Sequence, residues 1–446
     1  MPLRTITVRT LAILILLSAG VSSFAFEFSS GGSVGFNQTY DTTKSFFGSL
    51  RSGGASFDPL IAAFGGIWEG RLSLHANVGE DLYLDIGESW FGLYPTEWML
   101  LKAGRFEIRP GTALFLTNLS WFAPADPVSL LDLSGKRVLT DQVMIRFMIG
   151  NLYAGAAWVP PNRAIYTPPD PDNDFFPKID VMPEENPFGT MYVLSGIKVE
   201  ELSEPETASS GWGELAVEAG LSAGMFDVRV LYFNGMERDA ALQPGILLNG
   251  LYPRLDFTLL LFPHRNRVQA FGAALSLVPE PWSWGAVSFW AEGSHTVGRT
   301  AVTVSDNWRG TEVSGQMIRG EVVQVNETAF TAGTLLDLSA VPVSVFTEMR
   351  TVERFDNQVE TEPPLLRRLA LGGVRGRLWN DRIELLCAAA WSPPDGGWAA
   401  AVNLSVTLFG DSALTIRYPF FFGPEKSELG QYHDVKLLTF AFEARF

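Results

Sequence analysis

Along most of its length the chain alternates. Apolar and polar side chains take turns over stretches of about ten residues, with turn-forming residues between one stretch and the next. Trp68, Gly70, Leu72, Leu74, Ala76 and Val78 share one parity, while Glu69, Arg71, Ser73, His75 and Asn77 share the other. Val143, Ile145, Phe147 and Ile149 alternate with Gln142, Met144, Arg146 and Met148. Phe226, Val228, Val230 and Tyr232 alternate with Asp227, Arg229 and Leu231, and the stretch Trp398–Leu408 repeats the pattern. A helix would put residues i and i+2 on nearly opposite sides and leave each segment mixed all round; a strand gives one apolar face and one polar or small face. The polar faces are rich in Ala, Gly, Ser and Thr with scattered charges, which suits a wet lumen better than a dry sandwich core. The pattern predicts an all-β chain folded as an antiparallel transmembrane β-barrel.

Short connections are predicted at Gly79-Glu80, Gly150-Asn151, Ala223-Gly224, Asn380-Asp381 and Gly410-Asp411, each suited to antiparallel neighbours. Long polar stretches rich in Pro and Gly occupy 37–65, 108–140, 160–189, 234–254, 296–320, 352–366 and 420–432. Short turns alternating with long loops is the outer-membrane arrangement, with the short turns periplasmic. The up-and-down alternation does not close around 92–140 and 234–254, so a strand is missing or superfluous in each region. Sixteen to twenty strands fit, and about 18 is the expectation, because bacterial single-chain barrels use even numbers.

Composition sharpens this reading. Hydrophobic residues make up 47% and charged residues 18%, the latter below the soluble average of about 25%. A soluble protein so composed would need a very large core; a barrel needs none, because lipid covers its apolar face. Arg4 and Arg9, the apolar run Leu11–Ala19 and the small residues Ser23 and Ala25 read as a secretory leader cleaved after Ala25. The expected organisation is therefore 1–25 signal peptide and 26–446 one barrel. Of the 33 basic side chains two leave with the leader, so 31 face 49 acids and the net charge is −18. That balance excludes nucleic acid as a partner and weakly favours cations in an aqueous lumen. Cys387 stands alone, so neither a disulfide framework nor a thiolate metal cluster is expected. No later apolar run is long enough for a spanning helix, and a membrane chain without such helices must close its backbone hydrogen bonds in a barrel.

The C-terminal stretch KLLTFAFEARF places Leu438, Phe440, Phe442, Ala444 and Phe446 on one parity. It resembles the terminal strand of Gram-negative outer-membrane proteins, which the barrel-assembly machinery recognises. The resemblance makes Leu438, Phe440, Phe442 and Phe446 the assembly signal, and outer-membrane lipid the surrounding solvent. Physically, the last strand must pair with the first to remove both edges. A second resemblance lies in 100–141, where Gly104, Arg105, Gly111, Pro124, Asp126, Asp132 and Arg137 look like a pattern in large porin-like barrels; Pro110 stands where that pattern often has Trp. It implies a channel passing small solutes.

The segment 108–140 carries much apolar surface for a loop, including Phe115, Leu116, Leu119, Trp121 and Phe122. Such a loop should not float in water; it either folds inward and constricts the pore or packs on its neighbours at the surface. Candidate pore-lining charges are Arg71, Arg105, Arg109, Asp126, Asp132, Arg137, Arg146 and Arg229, with Arg375, Arg377 and Arg382 beyond them. Expected counter-charges are Glu69, Asp85, Glu214, Glu218, Asp227, Glu384 and Glu443. Arg105 shares parity with Met99, Leu101 and Ala103, which conflicts with a lumen position. Trp68, Trp90, Trp98, Trp121, Trp158, Trp212, Trp284, Trp379, Trp391 and Trp398 flank the alternating stretches and are expected in the aromatic girdles.

Other chemistry is weak. The acidic run at 168–185 lacks the Gly and the terminal acid of a calcium loop. Ser73 and His75 lie about 7 Å apart on one strand, too far for direct proton transfer. No catalytic motif is present, and no cofactor is implied. The leading function is an outer-membrane porin-like channel; the alternatives are a surface or adhesin barrel that binds a partner through its loops, and a barrel enzyme. A homo-oligomer would need one flank with a wider apolar band.

Overall fold

The computed structural model describes residues 27–41, 49–78, 82–108, 111–119, 139–160, 191–200, 213–237, 240–250, 254–305, 308–311, 315–355, 360–361, 367–408, 410–425, 427 and 429–445. The leader expected at 1–25, and Phe446, lie outside them. The first barrel strands are β1 (Glu27–Asp41), β2 (Ser49–Gly65), β3 (Trp68–Val78), β4 (Leu82–Ile86), β5 (Ser89–Thr96), β6 (Met99–Phe106), β7 (Thr140–Ile149) and β8 (Leu152–Val159). After β9 (Met191–Val199) come β10 (Glu214–Ala223) and β11 (Phe226–Met236), then the pair β12 (Ala241–Gly250) and β13 (Arg254–His264). The wall resumes with β14 (Arg267–Leu277) and β15 (Gly285–Val302), and pauses for β16 (Trp308–Gly310) and β17 (Gln316–Arg319). It closes with β18 (Val322–Leu338), β19 (Val343–Phe355), β20 (Arg368–Leu378), β21 (Ile383–Ser392), β22 (Gly397–Thr407), β23 (Ala413–Phe422) and β24 (Leu437–Arg445).

The larger sheet has 19 hydrogen-bonded segments and makes an 18-stranded antiparallel barrel, because β4 and β5 are two halves of one strand that both pair with β3. At the break, the Gly87 N–H donates to Ser73 O (2.9 Å), and Ser89 Oγ both accepts from Ser73 N (3.0 Å) and donates to Ser73 O (3.1 Å). The ring closes between β1 and β24, from Ser33 opposite Arg445 to Asp41 opposite Leu437. Among the described residues no helix is long and apolar enough to cross a membrane.

Short turns gather at one end. Gly150 and Gly224 take the left-handed conformation there with φ of 60° and 57°, as does the run Trp379, Asn380 and Asp381. The connection 79–81 is short too, yet β3 and β4 deliver it to the opposite end, among the long connections; this corrects the expectation that short turns share one end. The stretch expected as a loop at 37–65 is largely strand, since β1 runs to Asp41 and β2 begins at Ser49. Around 92–140 the missing element is the β5–β6 hairpin, turned at Glu97-Trp98, where no Gly or Asn marks the bend. Around 234–254 and 296–320 the extra strands belong to a second, five-stranded sheet in the order β16-β17-β12-β13-β9, with β9 parallel to β13. Leu259 and Leu261 of β13 bury its centre against Val199, Leu242 and Trp308.

Wall residues alternate in environment. On β7, Thr140, Gln142 and Met144 are buried, whereas Val143 and Ile149 are exposed on the outer face. The same holds for β11, where Leu231 and Phe233 are buried and Phe226, Val228 and Val230 are exposed. Outward Trp side chains form two belts: Trp68, Trp98, Trp282, Trp284 and Trp379 near the short turns, and Trp158, Trp391 and Trp398 near the long connections. Trp391 and Trp398 stack across the strands, with centroids 5.6 Å apart. Trp90 departs from the expected girdle and points inward. Trp121 and Trp212 lie outside the described residues.

This facing has a direct test. Val230 stands mid-strand on β11, 55% exposed on the outer face, beside the inward Arg229. Val230→Arg should cost about 2–4 kcal/mol, measured as the shift in a urea-unfolding curve of the barrel in liposomes. A neutral result would mean that the two faces of β11 have been exchanged.

Candidate functional site in the barrel lumen

An 18-stranded ring is too wide for wall side chains to fill. The described part of the long β6–β7 connection, residues 111–119, lies within it as a strap along the inner wall. Two wall carboxylates hold the strap. Glu292 on β15 and Glu348 on β19 are both fully buried. Glu348 Oε1 accepts from the backbone N–H of Leu114 (2.5 Å) and the indole N–H of Trp290 (3.0 Å). Its Oε2 accepts from the N–H of Phe115 and of Leu116, both at 3.0 Å. Glu292 Oε1 accepts from the Thr112 and Ala113 N–H groups, and its Oε2 from Thr117 Oγ1 (2.7 Å) and the Asn118 N–H (3.1 Å).

The remaining polar groups close the set. Thr331 Oγ1 on β18 donates to Leu116 O and accepts from Asn118 Nδ2, both at 2.8 Å, and Arg350 Nε donates to Asn118 Oδ1 (2.9 Å). Buried backbone needs such partners, and a carboxylate is an acceptor throughout. A Cβ at Gly111 would run into Thr117 Oγ1 and Glu292 Oε1, so glycine is required where the strap enters.

The apolar side chains of the strap take the wall's apolar patches. Leu116 packs with Phe346, Leu369, Leu371, Ala388, Ala399 and Phe421, joined by Leu429 and Tyr432 from the β23–β24 connection. That connection also turns inward, through a 3-10 turn at Gly430–Tyr432 anchored by Ser427, whose Oγ donates to Pro424 O (2.7 Å) and accepts from Gly430 N (2.9 Å). At the other end Leu119 is buried against Leu231 and Ala274.

The sequence-derived candidates fall into three groups. Arg71, Arg146 and Arg229 lie on the inward parity and are ion-paired. Arg71 meets Glu88 (3.0 Å), rather than Glu69, which instead accepts from the Tyr94 hydroxyl (2.5 Å). Arg146 Nε donates to Glu218 Oε1 (3.0 Å), and Arg229 pairs with Asp227 (2.8 Å), whose carboxylate also accepts from Tyr153 (3.2 Å). Further round the wall Glu384 pairs with Arg375 (2.7 Å) and Arg377 (3.7 Å). Arg105 corrects the expectation: register puts it opposite Ser89 and Asp141 on the outward parity, at the loop end of β6. The lumen positions of β6 are Leu100, Lys102, Gly104 and Phe106. Arg109, Asp126, Asp132 and Arg137 lie outside the described residues. In the assembly segment, Leu438, Phe440 and Phe442 sit on the outward parity of β24.

Several residues were not anticipated. Lys102 Nζ lies 3.7 Å from the centroid of the Trp90 ring and 4.4 Å from that of Phe106. Among the described residues Lys102 is held by these two aromatic faces, whereas the neighbouring Arg71 and Arg146 each pair with a carboxylate. Trp90 donates to Glu88 Oε1 (3.1 Å), and it fits inside because Gly104 opposite, at φ 137°, carries no Cβ to strike Ser89 O and Trp90 Cα. At the loop end a network of Glu327 with Arg299 (3.2 Å) and Arg354 (3.1 Å) braces the mouth. Glu237, just beyond β11, joins it by accepting from the Thr300 (2.7 Å) and Asn266 (2.9 Å) N–H groups. Burial pushes the Glu237 carboxyl above the usual carboxylate range, against the opposing pull of Arg299 and of these hydrogen bonds. Among the described residues no cluster of His, Cys, Asp and Glu suits a metal ion.

No protein-family model matches the chain, and no curated protein matches it. Solved structures do. Pseudomonas aeruginosa OpdQ superposes with a TM-score of 0.53 at 7% identity, over 94% of this chain and 98% of its own. OccK8 (OprE) of the same organism gives 0.53 at 8%, over 94% and 98%. OccK2 (OpdF), solved in complex with glucuronate, gives 0.52 at 8%, over 94% and 98%. These neighbours are outer-membrane porins. The chain has the fold of the 18-stranded outer-membrane porins of Gram-negative bacteria.

Proposed function

We propose that the chain is an outer-membrane channel for the passage of small solutes. The observation that carries this reading is the strap at 111–119, docked on the inner wall of a ring that would otherwise be wide open. A narrowed lumen lined by braced ion pairs is what a selective passage requires. The fold shared with outer-membrane porins supports the same reading and the outer-membrane location. Export through a leader at 1–25 and insertion led by β24 complete it.

Lys102 is the lumen group best placed to meet a solute. Backed by Trp90 and Phe106, it presents a cation that no acid occupies among its contacts, and one neighbour in fold was solved with a sugar acid, glucuronate. A second reading, a surface barrel that binds a partner, draws on the five-stranded sheet of β9, β12, β13, β16 and β17, which is separate from the wall sheet.

Single-channel recording of refolded residues 26–446 separates the two. Stable open steps are expected. Barrels that are folded yet silent would overturn the channel and leave the surface role. In a salt gradient, Lys102→Gln should move the reversal potential toward cation preference; an unchanged potential would remove Lys102 from the permeation path. Gly111→Val should lift the strap entrance off Glu292 and add current fluctuations. Quiet steps identical to the parent would mean that the strap does not border the path.

A further inference from the structure

We infer that two copies of the chain dimerise about a two-fold axis in the membrane, through the outer wall around β19 and β20. This face is turned to lipid, so the dimer is independent of whether the lumen conducts.

Strand register picks out the patch. Met349 on β19 lies opposite Ala332 of β18 and Ala370 of β20, and Thr347 lies opposite Thr334 and Gly372. Ala291 of β15 continues the first row beyond Ala332, and Ala389 of β21 and Ala400 of β22 continue the second beyond Gly372. Met349 stands between the inward Glu348 and Arg350, so the whole set faces outward. It lies between the Trp belts, with Trp284 and Trp379 toward the short turns and Trp391 and Trp398 toward the long connections.

The patch differs from the wall elsewhere. From β23 through β1 to β2 the outer face is bulky, with Phe420, Phe422, Phe36, Phe57 and Ile61 exposed. Around β19 one large side chain rises from a floor of Ala and Gly. Met349 is 64% exposed, more than any other large apolar side chain that stands mid-strand among the described residues. Small residues let backbones approach closely in a membrane. Small and hydroxylic positions, rather than a wider apolar band, mark this flank.

Three hydroxyls supply a second observation. Thr334, Thr347 and Thr351 surround Met349, and among the described residues none of their hydroxyls has a hydrogen-bond partner. Lipid tails offer none, and a polar group left alone in hydrocarbon is costly. A second copy does offer one, because a hydroxyl is both donor and acceptor and the same hydroxyls meet across a two-fold axis. The nearest outward charges, Glu353 and Arg368, pair with each other at the loop end (2.9 Å), so no bare charge is buried.

Self-complementarity selects the partner. A two-fold interface needs one surface to carry both a knob and its hollow. With the axis between β19 and β20, Met349 of one copy seats over Ala370 and Gly372 of the other, and symmetry supplies the reverse contact. The hollow has room: a Cβ at Gly372 would meet Phe346 O alone, at 3.7 Å.

That room makes the interface testable without disturbing the barrel. Chains labelled at Glu425→Cys, an exposed loop position, in a Cys387→Ser background are reconstituted in liposomes and their subunits counted by photobleaching steps over a range of dilution. The parent should bleach in two steps. Gly372→Leu fills the hollow and Met349→Ala removes the knob; each should weaken dimerisation by about tenfold or more, because each change acts twice per dimer. Leu74→Ala, outward on β3, should leave it unchanged. A monomeric or trimeric parent overturns the dimer, and so does either folded variant associating as tightly as the parent. Where Gly372→Leu lacks the heat-modifiable folded band on gels, Met349→Ala carries the test.

Discussion

The structure depends on how a polar backbone is kept inside a ring of strands. Whatever narrows such a ring must bring its own N–H and C=O groups with it, and these need partners away from bulk water. Glu292 and Glu348 meet that need on the wall side. Each gathers successive N–H groups of one irregular segment, much as a backbone nest gathers an anion, with the anion here belonging to the wall. Removing either side chain would leave several buried donors without acceptors, a cost of roughly 1–3 kcal/mol for each group. Leu116 and Leu119 then have fixed positions, because the hydrogen bonds set where the apolar side chains land.

The wall divides accordingly. Between β19 and β23 its inner face offers an apolar patch, with Phe346, Leu369, Leu371, Ala388 and Phe421 covered by the strap and by Leu429 and Tyr432, beside the ion pairs of Arg375 and Arg377 with Glu384. From β3 to β11 it carries ion pairs, Arg71 with Glu88, Arg146 with Glu218 and Arg229 with Asp227. An ion pair near water contributes little stability, so these pairs serve to hold long side chains flat against the wall. Lys102 differs in being held by ring faces.

Much of this was legible in the sequence. Period-two alternation placed β3, β7 and β22 within a residue or two, found the start of β11, and set Arg71, Arg146 and Arg229 on the inward parity. It failed where local signals mislead. The stretch Leu50–Pro59 reads as a loop for its Gly, Ser and Pro, yet pairing with β1 makes it strand. The bend at Glu97-Trp98 has no turn residue of the usual kind, so the β5–β6 hairpin was missed, and with it the inward Trp90 and Lys102 and the outward Arg105. Glu292 and Glu348 sit on correctly alternating stretches, but their partners lie far off in sequence. No local pattern separates a carboxylate that catches a loop from one that pairs with an arginine.

That distance in sequence bears on the order in which the barrel is made. The hydrogen bond from Leu114 to Glu348 spans 234 residues and that from Asn118 to Glu292 spans 174, while hairpins of the wall close over a few. Loop closure is cheaper over short spans, and distant contacts form late. The strap therefore has nowhere to dock until β15 and β19 stand side by side with β18, and a wide ring must precede the narrow one. Calibre is the last feature of this wall to be set.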